Sequence, residues 1–289
     1  MKPASFDYVG ATDLDEAIAL LQRHGDDAKI LSGGQSLVPM MNFRLARPTV
    51  LVDVNRIAGL SYVREEGDVL RIGALTRHHA VATSEAVLRR CPLLAEAAGC
   101  IGYPAIRRRG TIGGSLAHAD PAAELACVAV TLEADIVVRG PGGERTIPAS
   151  DFFVSVFTTA LEPDEIVTEV RIPCPDSQAR RWGFQQFSRK PGDFAMVMCA
   201  AVFEAEGDVI RGARIGVAGV SETAVRGVVG EQALEGRRLD DEVLGEVADA
   251  TATSVDPSSD VHADAGFRRH LVRVLTRRAI QDARRRAGW

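Results

Sequence analysis

Two short stretches of this 289-residue chain set glycines beside hydroxyls: Ser32-Gly33-Gly34-Gln35-Ser36-Leu37 and Gly110-Thr111-Ile112-Gly113-Gly114-Ser115. Glycine pairs permit positive φ and a close approach of backbone to ligand, and successive N–H groups can form a nest for an anion. The hydroxyls of Ser32, Ser36, Thr111 and Ser115 can donate to phosphate oxygens. A helix opening just after each turn would add its positive end. One such turn is equally what a tight strand-to-helix connection requires. Two of them, with matching hydroxyls, suggest jaws closing on one nucleotide diphosphate, and on the residues alone both readings stand.

Other chemistries have no motif here. There is no G-x-G-x-x-G, so a Rossmann dinucleotide site lacks its fingerprint. No glycine-lysine-hydroxyl phosphate loop, no G-x-S-x-G elbow and no H-E-x-x-H helix occur. The six histidines (His24, His78, His79, His118, His262, His270) are scattered, and the adjacent pair cannot turn both rings to one face. The five cysteines lack the Cys-x-x-Cys spacing of iron–sulfur or structural zinc sites, so free thiols in a reducing compartment are expected, with no metal ligands. Only Lys2, Lys29 and Lys190 are lysines, and the net charge of −5 gives no pull toward nucleic acid. The N-terminal MKPASFDYVGATDLDEA carries acids where a signal peptide is apolar. The longest apolar stretch, Leu125 to Leu132, falls short of the ~20 residues of a membrane span. A cytoplasmic protein without a membrane span is expected.

The elements that must position the two loops read as follows. Leu14 to His24 has helical spacing and stops at Gly25. Lys29 to Leu31 is strand-like and enters the first glycine turn; a helical segment over Leu37 to Leu45 and a strand over Thr49 to Val54 complete an α/β unit. Val69 to Ile72 is a strand and Ser84 to Gly99 a helix. After the second turn, Pro121 to Leu132 is a helix with proline in its first turn. Ile136 to Arg139 and Arg145 to Ile147 form a hairpin across Gly140-Pro141-Gly142-Gly143, and Glu165 to Ile172 is a further strand. Pro173-Cys174-Pro175-Asp176-Ser177 marks a domain boundary. Beyond it, strands over Gly183 to Ser188, Ala195 to Glu204 and Val209 to Val220, with Glu206-Gly207-Asp208 as a turn, precede helices over Asp240 to Thr253 and Asp264 to Arg286. The C-terminal part is thus an antiparallel sheet with helices on one side.

The stretch Leu31-Ser32-Gly33-Gly34-Gln35-Ser36-Leu37-Val38-Pro39-Met40-Met41-Asn42 resembles the first FAD loop of the flavoprotein (medium) subunits of molybdenum hydroxylases, such as carbon monoxide dehydrogenase and bacterial xanthine, nicotine and quinoline dehydrogenases. Arg109 to Pro121 is similar to the second loop, and Ser188-Arg189-Lys190-Pro191-Gly192-Asp193-Phe194-Ala195 to the signature that opens the family's C-terminal domain. The order and spacing match over nearly the whole chain. The resemblance implies an α+β protein: a two-subdomain FAD-binding fold of the vanillyl-alcohol oxidase type over 1–175 (subdomains about 1–56 and 57–175), then an α+β C-terminal domain over 176–289. It implies non-covalent FAD held by Ser32, Gly33, Gly34, Gln35, Ser36 and Leu37 and by Gly110, Thr111, Ile112, Gly113, Gly114 and Ser115, with the loop N–H groups on the pyrophosphate. Glu124 matches an acid that binds hydroxyls of the FAD sugar chain. Ile101 matches a residue packed near the flavin or adenine, and Ile166 and Val167 a strand whose backbone reads the flavin edge. Gln185 stands where xanthine-oxidising relatives carry a lysine near the flavin. Val156 stands where they carry an aromatic, for which Phe157 could substitute by a register shift.

The implied function is electron transfer. [2Fe–2S] clusters of a small partner subunit would pass electrons through FAD to an external acceptor, while a large molybdopterin-binding subunit hydroxylates the substrate; no residue of this chain need be catalytic. The alternative is a self-sufficient FAD-dependent oxidase or dehydrogenase using Tyr103, His79 or His118 as acid or base; a non-catalytic nucleotide-binding module is the third reading. The arginine-rich helix near the end, with Leu271, Val274 and Leu275 as its apolar stripe, is expected to dock on its own domain with its arginines outward or against an acidic partner subunit.

Overall fold

The structure, a computed structural model, describes residues 1–175, 180–207 and 209–286. The N-terminal part alternates β1 (Asp7–Gly10), α1 (Leu14–His24), β2 (Ala28–Leu31), α2 (Leu37–Asn42) and β3 (Val50–Asp53). Its three strands are parallel in the order β1-β3-β2. Helix α1 starts where Asp13 accepts the Glu16 N–H at 2.8 Å and Glu16 answers by accepting the Thr12 N–H at 2.8 Å, a reciprocal cap. Ala17, Ile18 and Leu21 put one face into the core, and Gly25 ends the helix at φ +52°.

The middle part holds β4 (Val63–Glu66), β5 (Val69–Gly73), α3 (His78–Thr83), α4 (Glu85–Arg90), α5 (Pro92–Cys100), α6 (Pro104–Arg107), α7 (Ile112–His118), α8 (Glu124–Thr131), β6 (Asp135–Gly140), β7 (Gly143–Pro148), α9 (Ala149–Phe152), β8 (Phe153–Ser155), β9 (Thr158–Thr159) and β10 (Ile166–Pro173). Five of these strands form an antiparallel sheet in the order β4-β5-β10-β6-β7. The expected helix over Ser84 to Gly99 is two, because Pro92 has no N–H to continue α4 and restarts the chain as the first residue of α5. The helix expected from Pro121 begins at Glu124 instead. Pro121 and Ala122 lie in a turn closed by the Asp120 carboxylate on the Ala122 N–H at 2.8 Å.

The C-terminal part is an antiparallel sheet, β11 (Arg180–Phe187), β12 (Val197–Glu206), β13 (Val209–Ala218) and β14 (Val225–Arg226), backed by α10 (Val228–Leu234), α11 (Asp241–Thr253) and α12 (Ala265–Arg286). The end of the expected boundary, Asp176 and Ser177, and Asp208 of the expected turn fall outside the described residues. Every residue of α8 is buried, because the helix packs against the middle part on one side and β12 and β13 on the other. A methyl at Gly216 of β13 would collide with the Thr131 hydroxyl of α8, so the contact there is backbone-close. Arg268 of α12 does not point outward as expected. It is buried and donates to the Met196 carbonyl at 2.5 Å, the Gly219 carbonyl at 2.8 Å and Asp260 at 2.7 Å. Val272, not Val274, lies in the buried stripe of α12. Arg269, Arg273, Arg277 and Arg286 pair with Asp256, Asp249, Asp241 and Glu96 of the same chain.

Candidate functional site

The first loop leaves the end of β2 and turns into α2. Gly34 takes φ +69°, a left-handed conformation that costs a glycine nothing. At Gly33 the requirement is space: a methyl there would strike the Arg109 carbonyl oxygen and stand 2.7 Å from Gly110 Cα. The two glycine motifs therefore touch backbone to backbone. A hydrogen bond of 2.7 Å between Ser32 Oγ and Thr111 Oγ1 ties them again.

The second motif is not the left-handed turn that its glycines suggested. Thr111 is the N-cap of α7, its Oγ1 accepting the Gly114 N–H at 3.2 Å, and Gly113 and Gly114 form the helix's first turn without positive φ. They are glycines for lack of room: a methyl at Gly113 would lie 2.5 Å from Ala74 Cβ, and one at Gly114 2.7 Å from Thr111 Oγ1. The N–H groups of this motif are already engaged, Ile112 with Thr76 O at 3.0 Å, Gly113 with Ala74 O at 2.9 Å and Ser115 with Thr111 O at 3.0 Å. Among the described residues, the N–H groups of Gly33, Gly34, Gln35 and Ser36 find no such acceptor. The uncommitted amides are those of the first loop, and the second contributes the hydroxyls of Thr111 and Ser115.

Both loops open onto one cavity of about 640 Å³. Ser32, Gly33, Gly34, Gln35, Ser36, Leu37, Gly110, Thr111, Gly113, Gly114 and Ser115 line it, together with Ile101, Glu124, Ile166 and Val167. Two expected residues do not. Ile112 is buried in the core beneath α7. Gln185 is not where the expectation placed it in this cavity: from β11 its amide donates to Asp282 of α12, within the C-terminal part.

Among the lining residues, His78 had been given no role by the sequence. His78 is buried, with Nε2 2.9 Å from the Thr111 carbonyl, which fixes that nitrogen as the donor. Burial pushes its pKa down to about 4, and Nδ1 has no partner. Glu124 is likewise buried, and burial raises its carboxyl to about 7. The rings of His118 and Phe157 stand 4.9 Å apart in the wall, Phe157 at φ +55°, and burial lowers the His118 pKa. Both Val156 and Phe157 are exposed, but only Phe157 lines the cavity. Of the candidate acid–base groups, His118 lines the cavity, while His79 is exposed and Tyr103 lies against Gly192 without lining it. Gly192, Asp193 and Phe194 also reach the wall; the signature quoted above contained them.

The donor set suits a dinucleotide flavin: free amides and hydroxyls for a diphosphate, and a neutralisable carboxyl at Glu124 for sugar hydroxyls. It does not suit a metal, since among the described residues no group of three His, Cys, Asp or Glu stands where it could hold one. No helix among them is long and apolar enough to cross a membrane.

Known proteins match the chain over nearly its whole length. A family described as the FAD binding domain in molybdopterin dehydrogenase matches residues 4–175, and one described as the CO dehydrogenase flavoprotein C-terminal domain matches 182–283. The chain is 42% identical over 290 residues to the 6-hydroxypseudooxynicotine dehydrogenase complex subunit alpha of Paenarthrobacter nicotinovorans, covering 99% of this chain and 97% of that one. It is 39% identical over 283 residues to the carbon monoxide dehydrogenase medium chain of Hydrogenophaga pseudoflava, covering 98% of each. A solved structure of carbon monoxide dehydrogenase from the latter organism, lacking the Mo-pyranopterin moiety of its cofactor, contains a chain that superposes with a TM-score of 0.96 at 39% identity, over 99% of both.

Proposed function

Because the chain belongs to the FAD-binding medium subunits of the molybdenum hydroxylases, we propose that it is the electron-transfer subunit of a heteromeric complex, taking electrons from [2Fe–2S] clusters of a small partner and delivering them to an external acceptor, while a large molybdopterin-binding partner hydroxylates the substrate. It is an oxidoreductase subunit, and FAD is its cofactor. We take 1–175 as the FAD-binding domain, 176–289 as the C-terminal domain, and the cytoplasm as the compartment. The observation that carries the reading is that Gly33 to Ser36, whose N–H groups find no backbone acceptor among the described residues, line one cavity together with Thr111 and Ser115.

When bound, FAD supplies the exchange between one- and two-electron carriers. The chain's own residues bind and orient. Gly33, Gly34, Gln35 and Ser36 donate N–H groups to the diphosphate, and Thr111 and Ser115 add hydroxyls. Glu124, held near neutrality, can accept from or donate to sugar hydroxyls. Ile101, Ile166 and Val167 give apolar wall for the rings. His78 stays neutral and holds the Thr111 carbonyl.

The test is electron flow. The isolated chain should be reducible by dithionite but inert toward aromatic heterocycles and carbon monoxide, and co-expression with the two partner subunits should restore substrate-dependent bleaching of the flavin. Bleaching by the chain alone would replace this reading with the self-sufficient oxidase.

A further inference from the structure

Neither Asn55 nor Arg77 lines the cavity, yet their side chains join the two loops that do. Asn55 follows β3, its N–H donating to Asp53 Oδ1 at 2.8 Å. Its Nδ2 donates to the Ser32 carbonyl at 2.8 Å, at the root of the first loop. Its Oδ1 accepts from Arg77 Nη2 at 2.7 Å. The same guanidinium donates through Nη1 to the Arg109 carbonyl at 2.5 Å, at the root of the second loop. That carbonyl oxygen is the one a side chain at Gly33 would strike. The chain on either side of the Arg77 side chain is pinned to the second loop as well: Arg77 bridges Thr111 in antiparallel fashion and the His78 N–H donates to Gly110 O at 2.9 Å.

We propose that Arg77 and Asn55 form a clasp that sets the separation of the two diphosphate-binding loops and so act as positioning residues for the cofactor. The inference rests on the FAD reading above. A planar fork can serve two acceptors in fixed directions, which one ammonium on a flexible stem cannot. The two acceptors on Arg77 are neutral, a carbonyl and an amide oxygen, so no carboxylate takes up either arm of the fork, and Asp53 acts on it only through space. The cradle for the diphosphate is therefore held from behind, at its two carbonyl roots, leaving the N–H face open to the ligand.

The complex with its partner subunits, stripped of flavin and titrated with FAD, tests this. R77A and R77K should each weaken FAD about ten-fold, the lysine failing because it reaches one acceptor only. N55A should weaken it several-fold, and N55A/R77A should be no weaker than R77A, because the two act as one unit. ADP, which shares the diphosphate, should lose affinity as a competitor in the same proportion, while the melting temperature of each stripped variant stays at the wild-type value. FAD affinity in R77K equal to wild type, additive losses in the double variant, or an unmoved ADP affinity would each overturn the clasp. Should R77A lower the melting temperature, N55A at its exposed position decides alone. A wild-type complex that takes up no FAD would instead sink the reading on which the clasp rests.

Discussion

A single missing side chain decides whether the two loops can meet. Gly33 lies on the Arg109 carbonyl and Gly110 Cα, and neither neighbour is a flexible end that could step aside. Gly33→Ala should therefore part the loops and lower flavin occupancy at least ten-fold in a chain that still folds, read as the ratio of flavin to protein absorbance after gel filtration. A second residue-scale prediction concerns pH. His78 titrates near 4 when folded and 6.5 when unfolded, so the unfolded chain binds the extra proton and stability rises as pH climbs through that window. Glu124 titrates near 7 when folded and 4.5 when unfolded, so there the folded chain holds the extra proton and stability falls as pH climbs. Shifts of this size correspond to about 3 kcal/mol each and oppose one another between 4.5 and 6.5. With the lowered pKa of His118 adding to the His78 trend, the urea midpoint of the flavin-free chain should climb less steeply with pH across that range than that of Glu124→Gln; parallel profiles would show that Glu124 does not titrate there. The sequence displayed the glycines and hydroxyls of this site because they recur as a local pattern. It could not display the Asn55–Arg77 clasp, whose partners stand 22 positions apart and leave no periodic trace.

Regular elements were legible where one face alone is buried. Helix α1 runs over the expected Leu14 to His24, because its apolar residues recur at helical spacing between a cap and a glycine. β1 was not read: Asp7-Tyr8-Val9-Gly10 is short and largely exposed, and only its pairing with β3 makes it a strand. The second glycine motif read as a turn because glycine signals freedom of φ, whereas here it signals closeness to Ala74. The same closeness recurs between β11 and α12, where a methyl on Gly183 would collide with the Ala279 carbonyl oxygen. Gly183→Ala should push α12 off the sheet at a cost of about 1–3 kcal/mol, seen as a lowered melting temperature with flavin content per folded molecule unchanged. An unaltered melting temperature would mean that the helix slides at no cost.

At the scale of the molecule, the N-terminal strands, the five-stranded sheet and the connection between β11 and β12 each bring residues to a shared cavity, in which we expect the flavin to be held without a covalent link. Trichloroacetic acid should leave yellow flavin in the supernatant; a yellow pellet would mean a covalent link. The order of the five-stranded sheet bears on a different matter, the birth of the chain on the ribosome. Its central strand, β10, is the last of the five to be made, and Val69 of β5 waits for Pro173, about a hundred residues later. At about 5–20 residues per second that interval is roughly 5–20 s. Throughout it the β4–β5 hairpin presents an open edge with Leu70 and Ile72 uncovered, and once Pro148 is made the β6–β7 hairpin adds a second, with Val138 uncovered. The nascent polypeptide is thus most exposed to aggregation just before β10 emerges, and a host that translates this stretch slowly lengthens the exposure instead of easing it.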